Sequence, residues 1–290
     1  MKHSVQGLIA GLIAASIWGG MYVVSKVVLE VIPPFSLLTM RLVLGALTLG
    51  LVILFRRKSE FTREQFRDSL LVGFVGYGIS LGFQFVGTKL STASNGALVT
   101  SATPAFVLLF APFLLGERST IRRIIALSIA SLGVLAVIDP RTAEFSPTLF
   151  WGNMSLLAAA LTWALYSVLV RKVSKSADLL ISSTVMLMAG IPTSILFSIF
   201  EMRSQGIGEF TFGILGGILF LGVISTAVAM FLWNYAFAEV PAAVASLTFF
   251  AQPVVGTLLG WFFLSETITP LFITGGVLIG VGIWISAMDS

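Results

Sequence analysis

The sequence predicts an all-α membrane protein: ten transmembrane helices arranged as two inverted five-helix repeats around a central cavity. Of 290 residues, 57% are apolar and 10% charged, with mean hydropathy +1.02, against roughly 25% charged residues in soluble domains. The apolar residues fall in runs of span length separated by charge or proline, and polar signatures of the first half recur in order in the second. At about 20 to 23 residues per span, ten spans use roughly 220 residues and leave no room for a folded extramembrane domain. Twenty-four Phe, six Trp and 28 Gly suit lipid-embedded, closely packed helices, and the absence of Cys excludes disulfides and thiolate chemistry.

The runs bound spans at 5–29, 35–55, 68–88, 92–115, 120–138, 148–171, 178–200, 212–236, 241–264 and 269–287. The first continues past Trp18 with no small-residue cleavage site followed by polar sequence, so it is expected to be retained rather than removed as a signal. Loop charge sets the orientation. The N-terminus and the loops near 56–67, 116–123 and 171–178 carry twelve of the 17 Lys and Arg, the opposite side only Lys89, Arg141 and Arg203. Both termini are therefore expected in the cytoplasm. Arg56, Arg57 and Lys58 act as topology signals at a membrane edge, so no nucleic-acid partner is expected despite the net charge of +4.

Trp18 and Lys26, preceded by Ala14-Ala15, match Trp163 and Arg171, preceded by Ala159-Ala160, at a shift of 145 residues. Pro104 and Glu117 match Pro253 and Glu266 at a shift of 149. Five spans is an odd number, so the second copy enters the membrane from the opposite side. The expected units are 1–145 and 146–290, and inverted halves let a site at their interface open to one face and then the other.

The membrane interior is notable for what it lacks. All 13 Asp and Glu lie at span ends or in loops and the one His is His3. That argues against an obligatory proton relay, a metal site, a cofactor or an acid/base catalytic constellation. Arg41 is the deepest charge; it either attracts a substrate carboxylate from the outer half or snorkels or pairs with an acid. Lys26 with Glu266 and Arg171 with Glu117 are expected as two symmetry-related ion pairs, one at each face. Pro104 and Pro253 fall near the centres of spans four and nine, where each removes a donor and frees the carbonyl of Thr100 or Phe249. They read as mobile hinges facing the centre, with a packing kink as the alternative.

Candidate substrate-binding residues at that depth are Trp18, Tyr22, Tyr77, Ser80, Gln84, Asn95, Ser101, Trp163, Tyr166, Thr226, Trp233 and Gln252. Tyr77, Ser80, Gln84 and Thr88 recur at helical spacing as a polar stripe, which faces a cavity or hydrogen-bonds to neighbouring helices. Trp18 and Trp163 sit near the midplane rather than in the interfacial belt, as aromatic walls for a small amphipathic ligand or as core filling.

The Ala-Ala-Ser-Ile-Trp-Gly-Gly segment at 14–20, Met40-Arg41-Leu42, and Pro104 followed by Leu115-Gly116-Glu117-Arg118 resemble the drug/metabolite transporter superfamily. The closest resemblance is to its EamA group and, within that, to YddG-type amino-acid exporters. It covers essentially the whole chain and recurs at Pro253 and Leu264-Ser265-Glu266, where Ser265 replaces a glycine. The resemblance implies an inverted-repeat bundle with a central cavity, a bacterial inner-membrane location, and export of amino acids, including aromatic ones, by alternating access. It carries the family's helix-one Trp onto Trp18 and its helix-four pattern onto Pro104, Gly116 and Glu117. Without a midplane carboxylate, facilitated diffusion or exchange is expected, by a chain working as a monomer in the lipid bilayer. Export of other metabolites or drugs is the alternative, and a membrane enzyme acting on lipid-linked substrate a remote one.

Overall fold

The computed structural model describes residues 2–56, 60–91, 96, 99–118, 120–138, 149–204, 206–264 and 270–288. Among the described residues all regular structure is helical. The first helix, α1, spans Lys2–Val31. α2, Pro34–Leu54, opens on a proline where the missing N–H has no intrahelical role. α3, Arg63–Leu90, starts with a capping box in which Thr62 and Gln65 each bond the other's backbone N–H. α4 covers Thr103–Leu115 and ends on Gly116, whose φ of 68° is the left-handed cap that only glycine adopts without strain.

α5 spans Ile121–Ile138, α6 Phe150–Val173 and α7 Leu179–Ser204, the last started by Asp178 accepting from the N–H groups of Leu180 and Ile181. α8, Phe212–Glu239, is capped by Thr211. A short α9, Ala242–Leu247, is joined by the tight turn Thr248–Phe250 to α10, Ala251–Leu264, and α11 covers Pro270–Ala287. Among the described residues six helices, α1, α2, α3, α6, α7 and α8, are long and apolar enough to cross a membrane.

Helix occurs in every segment that hydropathy marks as a span, but two differ from expectation. In 92–115 a turn at 101–102 separates helical residues 96, 99 and 100 from Thr103–Leu115, and 241–264 tightens to a 3₁₀-helix at Thr248–Phe250. Two long helices also change pitch. α3 is π-helical over Phe74–Ser80 and α8 over Phe220–Val228, so that i→i+5 bonding replaces i→i+4 there.

The packing has a simple pairing. α1 lies against α8 and α10, while α6 lies against α3 and α4; α2 runs along α7, and α5 along α11. Exchanging the first five helical segments for the last five leaves these pairs unchanged. The main core lies among α1, α2, α3, α6, α7 and α8, with a smaller apolar cluster between α5 and α11. Large apolar side chains such as Leu51, Phe113, Leu132, Phe200 and Trp284 are exposed on the outside. A lipid environment makes that surface favourable where water would not.

Candidate substrate site

Between the halves is a narrow cavity of about 30 Å³, room on the scale of water molecules. Trp18 of α1 and Trp163 of α6 form its aromatic wall, meeting edge to face with ring centroids 5.7 Å apart. Phe249 from the turn before α10 extends that wall, 6.1 Å from the Trp18 ring. The Trp18 indole is fixed by donating Nε1–H to the Ser225 carbonyl at 3.0 Å, within the π-helical stretch of α8. The matching donor of Trp163 has no partner.

The polar part of the wall is supplied by Ser80, Gln84, Thr100, Thr103 and Gln252. Ser80 donates to the Ala159 carbonyl at 2.8 Å, and Gln84 donates to the Tyr22 hydroxyl at 3.0 Å, which also meets Thr100 Oγ1 at 3.0 Å. Gln252 differs. It is 2% exposed, and neither amide atom makes an aligned hydrogen bond, although the Tyr22 hydroxyl lies near it. Its position depends on Gly19, because a Cβ there would come within 2.8 Å of the Gln252 carbonyl and 3.0 Å of the Gly256 nitrogen.

Thr103 is the first residue of α4 and Gln252 the second of α10, so the starts of two half-helices abut the cavity. Pro104 and Pro253 lie in these first turns, which corrects their assignment to helix interiors. Thr100 and Phe249, marked in the sequence for their carbonyls, contribute to the wall instead.

Of the twelve candidate binding residues, Trp18, Ser80, Gln84, Trp163 and Gln252 line the cavity. Tyr22, Tyr77, Tyr166, Thr226 and Trp233 do not; they stand one layer behind. Trp233 packs 5.3 Å from Trp18 and donates Nε1–H to Ser167 Oγ at 3.0 Å. Tyr77 turns to Tyr166, their hydroxyls 2.5 Å apart, and Tyr166 donates to Asn234 Oδ1 at 2.7 Å. Ser101 is buried in the turn before α4 and is not in the wall, and Asn95 lies outside the described residues. The stripe on α3 splits because its π-helical stretch rotates Tyr77 away from the face that Ser80 and Gln84 share. Met21, Met230, Thr100, Thr103 and Phe249, with Leu81, Ala159 and Ala160, complete the wall without having been read as binding side chains.

The charged residues follow two patterns. Arg171 bonds Glu117 Oε1 at 2.5 Å and donates from Nη1 to the carbonyls of Phe237 at 2.9 Å and Val240 at 2.6 Å. The other Glu117 oxygen accepts from Ala242 N at 2.9 Å, so one cluster joins the ends of α4, α6 and α8 to the start of α9. Lys26 donates to the carbonyls of Thr88 at 3.2 Å and Ser91 at 2.8 Å at the end of α3, while Glu266 lies outside the described residues. Arg41 neither snorkels nor meets an acid among the described residues: it is fully buried and held by α8.

The sequence profile of the EamA-like transporter family matches residues 5–138 and, a second time, residues 150–288. The chain belongs to the EamA-like transporter family. Its relatives include the uncharacterized transporter YoaV of Bacillus subtilis, 28% identical over 93% of this chain and 92% of that one. A probable amino-acid metabolite efflux pump of Salmonella typhimurium is 28% identical over 95% of this chain and 92% of its own. A solved crystal structure matches with a TM-score of 0.82 over 98% of this chain and 96% of that one, at 19% identity, and so shares the fold. Membership in a transporter family brings a membrane setting and a small-molecule substrate.

Proposed function

We propose that this EamA transporter exports amino acids, including aromatic ones as in the YddG-type exporters, by alternating access across a bacterial inner membrane. The observation that carries this reading is the wall of the cavity. Indole and phenyl faces suit an apolar side chain. The Gln252 carboxamide and the Trp163 N–H, neither with an aligned hydrogen bond among the described residues, suit the polar ends of a zwitterion. The printed description of the Salmonella relative as a probable amino-acid metabolite efflux pump supports the same substrate class.

Units 1–145 and 146–290 act as inverted five-helix repeats, ten spans in all, with both termini cytoplasmic and the two helix breaks as hinges. The twofold match of the family profile and the exchangeable helix pairing support that arrangement. No carboxylate is among the described residues lining the cavity, which supports a facilitator.

Uptake of labelled threonine and tryptophan into proteoliposomes, with and without an imposed pH gradient, tests the reading. Uptake of either without the gradient is expected. Uptake confined to the gradient would replace the facilitator with proton coupling, and uptake of neither would move the substrate to other metabolites or drugs.

A further inference from the structure

Arg41 is a fully buried cation beside the cavity. Its Nε donates to the Leu221 carbonyl at 3.2 Å and Thr226 Oγ1 at 3.0 Å, and its Nη2 to Ser225 Oγ at 3.3 Å. All three acceptors lie in the π-helical stretch of α8. The guanidinium carbon stands 4.9 Å from the centroid of the Phe85 ring. Nη1 has no hydrogen-bond partner, and no carboxylate among the described residues pairs with the group. A guanidinium has five N–H donors and cannot shed its charge by an ordinary proton loss. Replacing a buried ion with apolar groups is often neutral or stabilising, so packing alone gives this chain no reason to hold one here.

Met21 touches both Arg41 and the cavity: it lines the wall, and its sulfur accepts from Arg41 Nη2 at 3.7 Å. Methionine is unbranched and changes rotamer readily. The other half of the molecule lacks the equivalent charge. At a shift of 145 residues, Arg41 and Met21 correspond to Met186 and Tyr166. There the thioether is on the second helix of the half and the polar group on the first, and the polar network is closed. Tyr166 bonds Tyr77 and Asn234, and Asn234 donates to Ser183 Oγ at 3.0 Å. Only the Arg41 position of the two keeps a donor in reserve.

We propose that Arg41 is the carboxylate subsite of the transport path: when Met21 turns aside, the unpaired Nη1 takes an oxygen of the substrate's carboxylate. The substrate then binds in one direction, acid end toward α2 and α8. This deepens the amino-acid reading and rests on it for the identity of the substrate, though not for the requirement of a carboxylate.

The test compares wild type, Arg41→Gln, Arg41→Lys and Met21→Ala in proteoliposomes, with labelled tryptophan as substrate and unlabelled tryptophan or tryptamine as competitor. Wild type is expected to prefer tryptophan, and Arg41→Gln to reduce that preference about 10- to 100-fold through KM, with Arg41→Lys intermediate. An unchanged preference in Arg41→Gln overturns the proposal. If Arg41→Gln does not fold, Met21→Ala decides: tighter tryptophan with unchanged tryptamine supports the subsite, and equal changes for both overturn it. If wild type takes up neither tryptophan nor threonine, the amino-acid reading fails and thermal unfolding in detergent tests Arg41 separately. Stabilisation by benzoate and indole-3-acetate but not by their amides, lost in Arg41→Gln, upholds a carboxylate subsite. No such difference, or one that survives in Arg41→Gln, removes it.

Discussion

Gln252 shows how a single side chain separates stability from function. A buried polar group without a hydrogen bond costs about 1–3 kcal/mol, and neither amide atom of this residue makes an aligned bond among the described residues, although the Tyr22 hydroxyl lies beside it. Leucine of similar volume relieves the cost, so Gln252→Leu is expected to hold or raise the unfolding midpoint while increasing KM about tenfold. A lower midpoint with unchanged KM would make Gln252 a packing residue. Trp18→Phe has the opposite balance: it keeps most of the ring contacts with Trp163 and Trp233 but loses the bond to the Ser225 carbonyl. A loss of about 1–2 kcal/mol in stability is expected, read as a lower midpoint in the same thermal assay. Gln252 and Gln84 were legible in the sequence because a carboxamide stands out in an apolar helix. Met21, Met230 and Phe249 were not, since an apolar side chain reads the same whether it meets lipid, a neighbouring helix or a cavity.

At the level of the element, two departures from ordinary helix build the site. The breaks at 101–102 and Thr248–Phe250 bring helix starts to the cavity, and the π-helical stretches turn side chains and carbonyls to new directions. The proline pair signalled an irregularity at the right depth, but a proline fits both a kinked helix and the first turn of a new one. The π-helical stretches left no such mark, so a stripe projected at 3.6 residues per turn placed Tyr77 on the cavity face. Close approach of α1 to α10 gives a further prediction. Gly19→Ala puts a Cβ against the backbone beneath Gln252, whereas Gly20→Ala meets only the Leu259 Cδ1 atom at 3.2 Å, the far end of a flexible side chain. Gly19→Ala is therefore expected to lower transport severalfold and Gly20→Ala to leave it near wild type, as measured by initial uptake rates at matched protein content. Equal rates in the two variants would show that α10 accommodates the extra carbon.

For the whole molecule, two short spacings pointed to the two segments that the family profile matches, because a charge at a span end and a proline within a span are rare enough to align. The state of each face was not readable, since it depends on which contacts are made in three dimensions. Arg171 and Glu117, each with a side chain 15% exposed, join three helix ends to the start of α9. The proposed topology places that cluster at the cytoplasmic face. Glu117→Gln keeps an acceptor for the Ala242 N–H but removes the charge that holds Arg171, a change worth about 1–3 kcal/mol at such a partly buried pair. Alternating access needs the two openings to be close in energy, so a shift of about 1.4 kcal/mol changes their ratio tenfold. The chain has no cysteine, so one introduced at Ala160 in the cavity wall reports on access alone. In inside-out vesicles, Glu117→Gln is expected to raise the rate at which a membrane-impermeant thiol reagent labels that cysteine about tenfold, with slower labelling in right-side-out vesicles. If labelling from both sides stays as it is with Glu117 intact, the pair fastens the helices together without controlling which face is open.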